Sequence, residues 1–163
     1  LKSQQPDFMD NLISVARMYY DKVFVDLDSN LSEEIRQRIV DSSDLVIVNT
    51  SQNFNSLRKL KEKKENSELL QSPKTLILVG RYDKFSKYNV KNITRMLKET
   101  KEISAVPYNI GFYEASMEGK VADFFLNNRT LNDSSSANAK FLQECKRGCD
   151  NILAKLEDLK MRM

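Results

Sequence analysis

Asp26 and Asp28 are the residues whose types and spacing best suit chemistry. They close the run Val23-Phe24-Val25-Asp26-Leu27-Asp28, in which three apolar residues lead straight into an acidic pair. An apolar run without polar interruption reads as a strand buried on both faces. Open α/β sheets bind ligands beyond the carboxyl ends of such strands. A carboxylate there can hold a cation, or a water that a cation polarises. The plainer alternative is that Asp26 starts a turn or caps the next helix. Asn49-Thr50, Arg81 to Asp83 and Tyr108-Asn109 each follow an apolar run in the same way. If those runs are parallel strands, all these polar ends line one edge of a sheet.

The elements that must position them follow in order. Phe8, Leu12, Val15 and Tyr19 recur at helical spacing and predict an amphipathic helix from about Pro6 to Tyr20. The strand 23–28 comes next. Ser32 with Glu33 and Glu34 starts a helix whose buried side is Ile35 and Ile39. Leu45 to Thr50 is a second strand, and Asn53 to Lys64 a helix with Phe54, Leu57 and Leu60 inward. Glu65 to Ser72 reads as a polar connection. Thr75 to Val79 is a third strand, Val90, Ile93 and Leu97 mark a helix, and Ile103 to Pro107 is a fourth strand. Two helical stretches, Phe112 to Glu118 and Val121 to Leu126, flank Gly119. This alternation predicts a three-layer α/β fold with at least four strands, mainly parallel, and helices on both faces. The expected organisation is an α/β domain over 1–128, a Ser/Asn-rich linker over 129–139 and an amphipathic C-terminal helix over 140–163. That helix carries Leu142, Cys145, Cys149, Ile152, Leu156, Leu159 and Met163 at heptad steps. It is expected to pack on its own domain, with a contact to a partner helix as the alternative.

Composition excludes several chemistries. The 163 residues fit one domain, with 40% hydrophobic content. The chain has no His, so a Ser-His or Cys-His nucleophile and a His-ligated metal are ruled out. Its two cysteines lie four apart, which is neither a redox nor a zinc pair. A balance of 26 basic against 23 acidic residues, net +3, is too mild to announce nucleic acid. No apolar run reaches the roughly 18 residues of a membrane span, and the N-terminus has no signal-like apolar core. The expected location is the cytoplasm. The chain opens on Leu1 without an initiator Met and reads as a fragment.

Four pieces in order then look familiar. Tyr20-Asp21-Lys22-Val23-Phe24-Val25-Asp26 is similar to a "YDxVhhD" Walker B strand, and Asp41-Ser42-Ser43-Asp44-Leu45-Val46-Ile47-Val48 to "xxADxVhhV". Val79-Gly80-Arg81-Tyr82-Asp83 is similar to "hhNRyd", and Val106-Pro107-Tyr108-Asn109 through Glu118-Gly119-Lys120 to "hPyd…A…Gk". Asp21 to about Asn128 thus resembles the C-terminal half of the ParA/MinD family of deviant Walker A P-loop ATPases, nearest its divergent pilus-assembly and localisation members. The resemblance implies ATP and Mg²⁺ as cofactors. It implies that Asp26 holds the Mg²⁺ water shell, with Asp28 beside it. It implies that Arg81 lies near the base and that Pro107, Tyr108 and Asn109 pass its edge with their backbone; Thr50, at the same strand edge, is expected beside the nucleotide. It also implies a homodimer acting as a positional switch on DNA, on a membrane surface or at a protein pole. The amphipathic C-terminal helix, outside the resemblance, is the expected second contact surface.

The chain departs from that pattern in three places. Its glycines, Gly80, Gly111, Gly119 and Gly148, supply no G-x-x-x-x-G-K-[ST] phosphate loop. The switch segment D-x-P-x-G reads Asp26-Leu27-Asp28-Ser29-Asn30, and Gly80 replaces a usual Asn. Three functions therefore compete: part of an ATP-binding positional switch, a non-catalytic scaffold on a degenerate nucleotide fold, and a phosphoacceptor receiver domain. For the receiver, Asp26/Asp28 is the acidic pair and Thr50 the hydroxyl. Two surface features also invite weighing. Arg58, Lys59, Lys61, Lys63 and Lys64 form a basic run broken by Glu62. It suits phosphate contact or an ordinary solvated helix face. Tyr82, Phe85, Tyr88 and Tyr108 suit base stacking or packing at a sheet edge.

Overall fold

The protein is described by a computed structural model, which covers residues 6–27, 30–99, 103–130 and 135–162. The chain forms two compact units, 1–44 and 45–163. The first unit contains helices α1 (Pro6–Tyr19) and α2 (Glu33–Ser42). Ser32 caps α2 by accepting from the Ile35 N–H, as its place before two glutamates predicts. The helices are tied by an Arg38–Asp10 ion pair and by Arg17, which donates to the Ser42 carbonyl at 2.8 Å and pairs with Asp44 at 3.2 Å. These ties turn Met9, Ile13 and Ala16 toward the half-buried side of α1 and leave Phe8, Leu12, Val15 and Tyr19 exposed.

The expected strand at 23–28 is corrected by the structure. Lys22 to Leu27 joins no ladder, and Phe24 is 81% exposed. An apolar run becomes a strand only when a neighbouring backbone edge pairs with it, and no described residue supplies one here. Asp26 lies on this irregular stretch and is exposed. Asp28 lies outside the described residues.

The second unit holds a three-stranded sheet instead of the four strands expected. Its strands are β1 (Val46–Ser51), β2 (Thr75–Tyr82) and β3 (Ser104–Pro107), in the order β1-β2-β3, both pairs parallel. Between β1 and β2 run α3 (Phe54–Glu65) and the short α4 (Glu68–Gln71), the latter within the segment read as a connection. Helix α5 (Val90–Met96) links β2 to β3. Right-handed crossovers that step repeatedly in one direction put their helices on the same face of a sheet. Leu57 and Leu60 of α3 and Ile93 of α5, with Leu97 after it, accordingly meet Ile77 and Val79, alternate residues of β2 that share a face. Leu57, Val79 and Ile93 are completely buried and centre this core.

The other face is reached by the last helix. Three helices follow β3: α6 (Ile110–Met117), α7 (Val121–Asn128) and α8 (Ala137–Met161). Ser104 is in register with Leu78, on the face opposite Ile77, and Asn151 of α8 donates to the Ser104 hydroxyl at 3.3 Å. Phe112, Phe124 and Phe141 bring the three helices together, with ring centroids 4.9–5.9 Å apart. The buried face of α8 runs through Phe141 and Gly148. Cys149, counted in the expected seam, is exposed. The helix begins at Ala137, capped by Ser136, so its first turn lies within the stretch read as linker. No helix among the described residues is long and apolar enough to cross a membrane.

Candidate functional site

Because the three strands are parallel, Ser51, Tyr82 and Pro107 end at one edge of the sheet. Side-chain amides organise that edge. Gln52, the residue after β1, reaches across to the loop that follows β2. Its Nε2 donates to the carbonyls of Asp83 at 2.8 Å and Tyr88 at 2.9 Å, and its Oε1 accepts from the Asp83 N–H at 2.8 Å. Asn53 caps α3 through the Ser56 N–H at 2.8 Å and donates to Ser51 Oγ at 2.7 Å. The loop closes on itself where Asp83 Oδ1 accepts from the Phe85 N–H at 2.9 Å.

At the end of β3 a second amide chain begins. Asn109, 6% exposed, caps α6 by accepting from the Phe112 N–H at 2.7 Å. Its Nδ2 donates to Asn138 Oδ1 at 3.0 Å; Asn138 Nδ2 donates to Asn128 Oδ1 at 2.9 Å; Asn128 Nδ2 donates to the Phe124 carbonyl at 2.7 Å. Each amide spends both a donor and an acceptor, or caps a helix carbonyl, so α6, α7 and α8 are locked to the strand end. At the far end of α6, Gly119 takes the left-handed conformation (φ +71°), and Lys120 Nζ donates to Glu118 at 2.7 Å. That contact holds the Glu118 carboxyl below its ordinary range.

Of the residues proposed from the sequence, Thr50, Arg81, Pro107, Tyr108 and Asn109 share this edge. Thr50 is half-buried in β1, with its hydroxyl 3.5 Å from the Ser51 carbonyl. Arg81 sits at an irregularity in the β2–β3 pairing, at φ +52°. That conformation is costly for a side chain with a Cβ, and Arg81 is exposed. Tyr108 donates its backbone N–H to the Tyr82 carbonyl at 3.2 Å. Asp26 belongs to the first unit, not to the one that forms this edge.

The described residues do not fit Mg²⁺-ATP held as the resemblance implies. The Asn109 amide and the Tyr108 N–H, groups that would face a base, are spent within the chain. An exposed Asp26 on an irregular stretch lacks the fixed geometry that positions a Mg²⁺ water shell. Among the described residues no group of three or more Cys, Asp or Glu is placed to hold a metal ion.

Sequence reasoning missed Gln52 and Asn138. The partners of Gln52, and Asn109 as partner of Asn138, lie 29 to 36 residues away along the chain, beyond any local pattern. It also left the tyrosines undivided. Tyr82 and Tyr88 pack against the core, whereas Phe85 and Tyr108 project into solvent.

Compared with family models, curated proteins and solved structures, the chain matches none of them.

Proposed function

We propose that this chain is a non-catalytic scaffold or localisation module on a degenerate, ParA/MinD-like nucleotide fold. The observation that carries this reading is the self-occupied carboxyl edge. The Asn109 amide at the end of β3 is committed to the Asn138–Asn128 chain, the Tyr108 N–H to the Tyr82 carbonyl, and the loop after β2 to Gln52. The substituted switch segment after Asp26 points the same way. On this reading the protein works by holding a position, as a homodimer or through a protein partner.

An ATP-binding positional switch is the second reading. What favours it is the convergence of Thr50, Arg81 and Pro107 to Asn109 at one edge, in the order that the resemblance implies. Phosphate release from Mg²⁺-ATP separates the two. The scaffold reading expects the same background rate from the wild type and from Asp26→Ala. Turnover above background that Asp26→Ala abolishes overturns it.

A further inference from the structure

With its amides committed, the carboxyl edge still presents aromatic rings and cations. The loop from Arg81 to Lys91 carries four cations, Arg81, Lys84, Lys87 and Lys91, against one acid, Asp83. The Asp83 carboxylate accepts from the Phe85 N–H of its own loop. Phe85, at the loop's tip, is 86% exposed, and the Lys84 ammonium lies over one face of its ring, 5.0 Å from the centroid. Lys87 lies over Tyr88 at 5.2 Å. Tyr108 is 52% exposed and is tied to the base of this loop by its N–H to the Tyr82 carbonyl. It leans on Tyr113 with ring centroids 6.3 Å apart. Gln52 anchors both ends of the loop, so the rings and cations are mounted on the sheet. Arg81 is held outward at a strained φ, with no ion-pair partner among the described residues.

We propose that this edge binds single-stranded nucleic acid. Unpaired bases stack on Phe85 and Tyr108, and the flanking phosphates meet Arg81, Lys84 and Lys87. A flat ring with a cation beside it is the pairing that stacked bases and their phosphates require, and it is indifferent to sequence. A duplex hides its base faces and would use the cations alone. A membrane surface calls for a contiguous apolar wedge, whereas Phe85 stands between Lys84 and Ser86 with Asp83 accepting from its N–H. The basic run on α3 is the weaker candidate. Arg58 pairs with Glu62, Lys64 is buried against Glu99, and Glu62 breaks the run. The proposal needs neither ATP nor Asp26, and so stands apart from the scaffold reading.

The test is fluorescence anisotropy with labelled 20-mers of oligo(dT) and oligo(rU), a duplex of the same length, and sedimentation with phosphatidylserine/phosphatidylcholine vesicles. The expected result is binding to both single strands, tighter than to the duplex. Three phosphate contacts give a log–log salt slope of about −2. Phe85→Ala and Tyr108→Ala each weaken binding about tenfold. The Lys84→Ala/Lys87→Ala pair flattens the slope to about −0.7. The control pair Lys59→Ala/Lys63→Ala binds as wild type. Because Phe85 and the lysines are exposed, these variants keep the wild-type circular dichroism spectrum. The proposal is overturned by no binding at low salt, by equal affinity for duplex, by Phe85→Ala and Tyr108→Ala binding as wild type, or by vesicle binding that Phe85→Ala removes while oligonucleotide binding is absent. A difference between the DNA and RNA arms identifies which nucleic acid the edge prefers.

Discussion

Replacing Asn109 separates a structural amide from a ligand-reading one. In Asn109→Ala two bonds are lost: the cap on the Phe112 N–H and the bond to Asn138. Loss of an N-cap costs about 1 kcal/mol. Asn138 Oδ1 is then left half-buried without its donor, which adds about 1–2 kcal/mol. The sum is about 2–3 kcal/mol. Asn109→Ser keeps a capping oxygen and loses only the Asn138 bond, so about 1–2 kcal/mol is expected. Asn138→Ala leaves the cap in place but orphans both Asn109 Nδ2 and Asn128 Oδ1, for a loss of about 2–4 kcal/mol at the same cost per group. The assay is urea unfolding followed at 222 nm. At a slope of about 2 kcal/mol/M, Asn109→Ala moves the midpoint down by about 1 M or more with the slope unchanged. The stability order is wild type, then Asn109→Ser, then Asn109→Ala. Asn109→Ala within about 0.5 kcal/mol of wild type, the scale of an ordinary surface change, refutes the claim that this amide is committed to the fold.

Three further outcomes follow from other parts of the second unit. Lys64 and Glu99 form an ion pair 3.0 Å long with side chains only 13% and 4% exposed, and removing one partner leaves a buried charge. Lys64→Ala should therefore lose about 3 kcal/mol in the same unfolding assay, while Lys59→Ala on the exposed face changes little. Burial, followed by the neighbouring Cys149 and Glu144, raises the Cys145 thiol from its ordinary 9.0 to about 11. A raised folded-state value keeps the proton bound in the native protein, so stability declines as pH rises from about 9 through about 11. Cys145→Ala should flatten that decline, as measured by midpoints across the window, and in native alkylation near pH 8 the exposed Cys149 should react well before Cys145. Gly148 lies inside α8, and an added Cβ there meets no atom within 4 Å. Gly148→Ala should raise stability by about 0.5–1 kcal/mol by improving helix propensity, and a lower midpoint would show that the space around it is filled.

Much of the second unit was legible because its signals are local. The runs around Val46, Thr75 and Val106 became parallel strands, since helical patterns of suitable length separate them. Ser32 could be read as a cap from its neighbours alone. The run at Val23 carries the same local signal and is not a strand, because strand identity is settled by a pairing partner that composition does not report. The C-terminal helix was legible, and Leu142, Cys145, Ile152, Leu156 and Leu159 of its expected seam are half-buried, but Cys149 is exposed. Its most buried positions, Phe141 and Gly148, lie beside that seam, and Gly148 carries no side chain to register as apolar. At the edge, residue types were legible and their commitments were not. Asn109 and Gln52 sit where a ligand group would, yet their partners come from distant segments. The division of the aromatics into packed Tyr82 and Tyr88 and open Phe85 and Tyr108 likewise depends on the tertiary fold.

The central claim is that the carboxyl edge serves the chain's own packing and holds no Mg²⁺-ATP site at Thr50 and Asn109. Calorimetric titration of Mg²⁺-ATP into the protein tests it directly. The account predicts no saturable heat. A saturable isotherm that Thr50→Val weakens would contradict it.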